Sequence, residues 1–125
     1  MLEKAFRRVP REEIFKQTGI QFLQINSLYQ LLAMVVGRSP QIEMARTFLT
    51  IPDLFNYWLT GQTVCELSNA TTTQCYNPRQ GDWAFDMLQR LDIPAGIFPP
   101  IVLPGTNLGP LLPHITEEVG LPSQA

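Results

Sequence analysis

The chain has 125 residues, 45% of them hydrophobic and 16% charged, with a formal net charge of −2. These are the proportions of one ordinary folded domain, and they exclude disordered, collagen-like and disulfide-scaffold chains. With a pI near 5.3 there is no basic footprint for a phosphate backbone, and no apolar run approaches the roughly 20 residues of a membrane span, so neither a nucleic-acid nor a membrane partner is expected.

At the N-terminus, Lys4, Arg7, Arg8 and Arg11 are interleaved with Glu3, Glu12 and Glu13, the pattern of a solvated helix face. The opening MLEKAFRRVPREE lacks the apolar stretch of a secretory leader, which gives a cytoplasmic expectation. Pro10 and the acidic pair after it predict a helix over about 10–17, stopped by Gly19. Asn26 or Ser27 is placed to cap a second helix, whose stripe of Leu28, Leu31, Leu32 and Val35 has core-facing spacing and ends at Gly37. Ser39-Pro40 opens a third helix to about residue 47, and Thr50 and Pro52 open a fourth that closes at Gly61.

In that fourth helix Leu54, Phe55, Trp58 and Leu59 share a face, with Asp53 and Asn56 on the opposite edge. From Thr63 to Tyr76 the Thr, Val, Cys and Tyr content predicts a short irregular β-ribbon turning at Asn69. Asp82 is expected to cap a fifth helix with the stripe Trp83, Met87, Leu88 and Leu91. Beyond Pro94, prolines and glycines predict extended connectors with one short strand, then one helical turn stopped at Gly120. The expectation is a mainly α chain with a small β component: one partial domain over 1–125, helical over about 10–92 with a Pro/Gly-rich connector over about 93–122.

No self-contained catalytic constellation is visible. His114 is the sole histidine, so a site with two imidazole ligands is impossible, and its proline-rich setting favours an exposed or packing role. A hydrolase pairing His114 with Cys65 or Cys75 is the weakest reading, since the two cysteines lack CxxC spacing and read as reduced, partly buried thiols. Glu117 and Glu118 are adjacent and so diverge on a helix, which makes them solvent-facing rather than an acid/base pair. LPGTNLGPL lacks the Lys and the strand-to-helix setting of a phosphate loop. Asp53 and Asp82 are explained by capping, and Trp58 and Trp83 by core packing.

Several stretches nonetheless resemble one family. EEIFKQTGIQFLQINSLYQLLA, with Thr18-Gly19-Ile20-Gln21-Phe22 and Leu28-Tyr29-Gln30-Leu31, resembles a segment of the FGGY carbohydrate kinases, in particular their rhamnulokinase branch. LTIPDLFNYWLTG is similar to a helix shared across that family, and ELSNATTTQ, Glu66 to Gln74, resembles its Asn-Ala-Ser/Thr pattern with the three threonines of the rhamnulokinase branch. IPAGIFPPIVLPGTNLGPL continues in the same order, so the resemblance covers nearly the whole chain.

The resemblance implies part of an actin-like, ribonuclease H-like ATPase domain: the helical subdomain of a kinase that passes the γ-phosphoryl of Mg2+-ATP to a ketose, L-rhamnulose at O1. The family's catalytic base, an Asp preceded by His, would follow the motif reached at Gly120-Leu121-Pro122, and the phosphate-binding hairpin and ATP domain would lie outside 1–125. No catalytic, ATP-binding or metal residue is therefore carried onto this chain, which is expected to be inactive without the remainder of the kinase. Gln21, Asn26, Tyr29 and Asn69 are the candidates for lining the sugar pocket. The alternative is a stand-alone helical interaction module. A segment lacking the kinase's central sheet is also expected to expose an apolar patch.

Overall fold

The computed structural model describes residues 1–122 and 124. In chain order the elements are α1 (Leu2–Arg8), α2 (Arg11–Thr18), α3 (Ser27–Val36), α4 (Pro40–Met44), α5 (Ile51–Thr60), β1 (Cys65–Glu66), α6 (Leu67–Thr72), β2 (Tyr76–Asn77), β3 (Asp82–Trp83), α7 (Phe85–Arg90), a 3-10 turn (Ala95–Ile97), β4 (Ile101–Val102) and α8 (Pro113–Val119). The chain is mainly α with a small β component, as its composition and periodicity lead one to expect. No helix among the described residues is long and apolar enough to cross a membrane.

The two β pairs are minimal. β1 and β4 run parallel with Cys65 opposite Ile101, and β2 and β3 form an antiparallel pair with Tyr76 opposite Trp83. Asn77 closes the second by accepting the Arg79 and Gln80 amide hydrogens at its side-chain oxygen, 3.0 and 3.3 Å away, an Asx turn.

α3 is the axis of the core. Leu28, Tyr29 and Leu32 are at most 1% exposed, and α1 and α4 pack beside the helix. Ile14 of α2 and Met87, Leu88 and Leu91 of the α7 segment complete the interior, all fully buried. Exposed ion pairs, Arg8 to Asp92 and Arg90 to Glu13, tie α1 and α2 to α7, each contributing at most about 1 kcal/mol at such exposure.

Five features differ from the sequence expectation. Helix begins at Leu2 rather than near residue 10, because Ala5 and Val9, both fully buried, turn one face of the charged N-terminal stretch into the core. α4 stops at Met44 rather than near 47, because the next residues are drawn out to join the connector: Phe48 N–H donates to the Ile97 carbonyl at 2.7 Å, and its ring lies 5.5 Å from Phe98.

The expected ribbon over 63–76 contains a helix instead. The Glu66 carboxylate caps α6 by accepting the Ser68 and Asn69 amide hydrogens at 2.8 and 3.2 Å, and the threonine hydroxyls donate back along the chain, Thr71 to Ser68 and Thr72 to Asn69. Local capping of this kind overrides β propensity, so Asn69 sits inside a helix rather than at a turn. Asp82, expected to cap α7, lies in β3, and Ala84 holds the cap position. The stripe expected there is buried nonetheless.

The fifth difference is on α5. Asp53 is fully buried, while Phe55 and Trp58 are 55% and 52% exposed, so the polar edge faces inward and the aromatic face outward. Phe55 and Trp58 pack edge to face on each other, 5.3 Å between centroids. Gly61, at φ +76, ends the helix in the left-handed region that a side chain strains to adopt.

Candidate functional site

Two buried polar knots and one groove carry the chain's non-structural chemistry. The first knot holds the segment between α2 and α3. Gly19 ends α2 in left-handed geometry at φ +67 and turns the chain outward. The returning end is fixed by Asn26, whose Nδ2 donates to the Gln21 carbonyl at 2.9 Å and to Gln74 Oε1 at 3.0 Å. Gln74 Nε2 in turn donates to the Ile20 carbonyl at 3.0 Å. Gln74 is fully buried and holds φ +61, a conformation uncommon outside glycine.

The second knot is centred on Asp53. Thr50 Oγ1 donates to Asp53 Oδ2 at 2.5 Å and the Glu66 amide donates to Oδ1 at 3.1 Å. Asn69 Nδ2 reaches Thr50 Oγ1 and lies 3.5 Å from Asp53 Oδ2. A carboxylate fully removed from water needs such donors, and here they join the start of α5 to β1 and α6. Hydrogen bonds from Ser68, side chain first and then backbone, hold the Glu66 carboxyl below its usual range.

The four residues singled out for the sugar pocket divide between these surroundings. Gln21 is exposed and lines an open groove of about 750 Å3 with Arg11, Glu12, Phe15, Gly19 and Phe22. Asn26 is buried and bonds to Gln21 through the latter's backbone carbonyl. Tyr29 is 1% exposed with its hydroxyl unbonded among the described residues. Burial, reinforced by the neighbouring Cys75, pushes that hydroxyl up to about 12, against a smaller opposing effect of Arg11. Asn69 belongs to the second knot. In the sequence Gln74 shows only as a large amide closing a threonine run.

The groove combines an aromatic floor with planar polar groups. The Arg11 guanidinium lies 4.8 Å from the Phe22 ring centroid, in cation–π range. Such a lining can bind a hydroxylated ligand but supplies neither a nucleophile nor an acid/base pair.

The thiols do not change this. Cys65 and Cys75 are free and buried, and their thiols donate to the Glu66 and Thr73 carbonyls. Burial raises both thiols, Cys75 to about 12, the opposite of an activated nucleophile. His114 is exposed on α8 rather than in a connector, beside Tyr57 and Trp58. We expect both thiols to resist iodoacetamide in the folded protein at pH 8 and to react fully in denaturant. Fast alkylation of the folded chain, traced by peptide mapping, would overturn that assignment.

A pH dependence follows. Cys75 and Tyr29 are raised from ordinary values of 9.0 and 10.0 to about 12. Acids held neutral in the folded state contribute stability that is complete below the unfolded value and is lost as pH rises through the folded one. The melting temperature should therefore hold up to about pH 9 and fall between about 9 and 12, and Cys75→Ala should flatten the lower part of that fall. A curve unchanged by the substitution in thermal scans would exclude the thiol as a contributor.

Comparison with known proteins supplies what the residues alone do not. Residues 2–125 match the model of the FGGY family of carbohydrate kinases, N-terminal domain. A rhamnulokinase of Oceanobacillus iheyensis is 39% identical over 121 residues, 97% of this chain and 26% of that protein. A rhamnulokinase of Halalkalibacterium halodurans is 38% identical over 120 residues, with 96% and 26% covered. The chain thus spans about a quarter of the length of the curated relatives it matches.

Among solved structures, a gluconate kinase from Lactobacillus acidophilus superposes with a TM-score of 0.89 over 99% of this chain and 25% of that one, at 22% identity. A carbohydrate kinase from Novosphingobium aromaticivorans gives 0.75 at 31% identity, over 89% of this chain and 24% of that one.

Proposed function

Since the chain belongs to the FGGY family of carbohydrate kinases, we propose that it supplies the helical part of the N-terminal domain of a cytoplasmic, ATP-dependent ketose kinase, and that the ketose is L-rhamnulose, phosphorylated at O1. The observation that carries this reading is 39% identity to a rhamnulokinase along 97% of the chain. Neighbours titled gluconate kinase and xylulose kinase superpose at TM-scores of 0.89 and 0.88, so one backbone serves several sugars and the substrate assignment rests on sequence.

Phosphoryl transfer needs a carboxylate to accept the hydroxyl proton and positive groups, usually including a divalent metal, to spread charge off the phosphate. Among the described residues, no three of His, Cys, Asp and Glu are grouped to hold a metal, and both Asp53 oxygens are engaged by Thr50 and Glu66. These residues do not fit Mg2+, and no step is assigned to them through it. The role assigned to this segment is to shape and position a pocket, with the base and the ATP site supplied by the remainder of the kinase.

Surface area supports that division. The chain exposes 7864 Å2, whereas a compact monomer of 14.1 kDa exposes about 6,700 Å2. The excess, about 1,100 Å2, is comparable to one partner's share of a stable interface. The outward aromatic face of α5 fits such an interface, with the rest of the kinase as its cover.

The decisive assay couples ADP release to L-rhamnulose, L-fuculose or D-xylulose. It compares this chain with a kinase-length form in which the same segment is continuous with the family's remaining sequence. We expect turnover of L-rhamnulose by the long form and none by the chain alone. A long form that turned over another ketose faster would reassign the substrate, and one inert to all three would defeat the kinase reading.

The same exposed face favours a second reading, a stand-alone interaction module without catalysis. On either reading Phe55→Ser with Trp58→Ser should reduce hydrophobic-dye binding and self-association of the chain several-fold with little change in stability, because both side chains are half exposed. A chain that is monomeric and dye-silent before substitution would remove the apolar surface from both readings.

A further inference from the structure

The loop between α2 and α3 is held by side-chain amides rather than by any ladder of its own. Three of its carbonyls are taken by side-chain amides: Ile20 by Gln74 Nε2 at 3.0 Å, Gln21 by Asn26 Nδ2 at 2.9 Å and Ile25 by Gln30 Nε2 at 2.7 Å. Gln74 closes the arrangement by accepting from Asn26 at 3.0 Å, across 48 positions of sequence. The adjoining backbone is fixed as well, with Leu28 N–H on the Thr73 carbonyl at 3.0 Å.

Phe22 of this loop packs on Phe6, 5.3 Å between ring centroids, but its neighbours face solvent. Leu23 is 42% and Ile25 75% exposed, and Gln21 is exposed at the edge of the groove lined by Arg11 and Phe22. A loop that only linked two helices would need neither a fully buried amide nor the positive φ at Gln74. Backbone strain retained at a buried position commonly marks a functional constraint. Apolar and amide groups fixed together also suit a deoxy-ketose, whose methyl and C–H faces need the first and whose hydroxyls need the second.

We propose that Gln74 is a positioning residue which, through Asn26 and the Ile20 carbonyl, fixes the loop over residues 20–25 so that Gln21, Leu23 and Ile25 form one wall of the ketose site. This rests on the kinase reading above. Gln74 itself touches no ligand.

The test uses the kinase-length form and two variants. Gln74→Glu keeps the acceptor for Asn26 but loses the donor to Ile20, and Gln74→Gly relaxes the backbone while deleting the amide. Gln74→Glu should raise the sugar KM about tenfold, the effect of roughly one lost buried hydrogen bond, and Gln74→Gly at least as much. Neither kcat nor the KM for ATP should move by more than about twofold on the same scale. Hydrogen exchange of residues 20–25 should quicken in both variants, and L-rhamnulose should add protection there in the unsubstituted protein.

An active unsubstituted kinase whose sugar KM is untouched while the loop exchanges faster would overturn this proposal alone. So would variants that lose their fold or lower kcat for every substrate equally, since that is a merely structural role. An unsubstituted kinase inert toward every ketose would defeat the kinase reading and this proposal with it.

Discussion

Trp83→Ala should cost about 3–5 kcal/mol, the usual range for deleting a buried aromatic. The indole is 1% exposed, lies 4.9 Å from the Phe98 ring, and donates from Nε1 to the Pro99 carbonyl at 2.7 Å. Truncation therefore opens a cavity and orphans a buried carbonyl of the connector in one step. A domain of this size is stable by only about 5–15 kcal/mol, so the variant should populate unfolded chain at room temperature. Trp83→Phe keeps most of the apolar surface and loses only the hydrogen bond, so about 1–3 kcal/mol is expected. Urea titrations followed by circular dichroism would compare the two. Equal losses would mean that the hydrogen bond carries the whole effect, and a loss under about 1 kcal/mol for alanine would show that the indole is not the anchor described above.

Asp53→Ala should be the second most damaging change, at about 2–4 kcal/mol, because it strips acceptors from the Glu66 amide and the Thr50 hydroxyl at once. Relief of the desolvation of a fully buried carboxylate offsets part of this loss. Asp53→Asn retains an acceptor for the Glu66 amide and should fall near half the alanine value. The local readout is hydrogen exchange at Glu66, Ser68 and Asn69, which should accelerate ahead of the α3 amides if the knot is what holds α6 to α5. Exchange that speeds uniformly through the chain would instead mean that Asp53 contributes only to global stability.

Much of the fold is legible in the sequence because it depends on near neighbours. Leu28, Leu31 and Leu32 of the α3 stripe are buried, with Val35 partly so, α2 ends in a left-handed glycine, and α8 stops at Gly120 with φ +74. The stretch from Glu66 to Thr73 is misleading because two local preferences compete there. β-prone threonines argue for strand, and a carboxylate cap with hydroxyl back-bonds stabilises helix instead. The family too is legible, through runs such as Glu66 to Gln74, and the comparisons agree with that reading.

Residue order thus placed most of the helices, α1 and α6 aside, and the family. These follow from periodicity, capping and residue chemistry, all of which act over a few positions. Tertiary structure alone decided that α5 turns Asp53 inward and its aromatics outward, since amphipathicity defines two faces without saying which one meets the core. It alone joined Gln74 to Asn26 across 48 residues, because a buried amide's partner is set by which distant segments pack together, and local spacing carries no record of that.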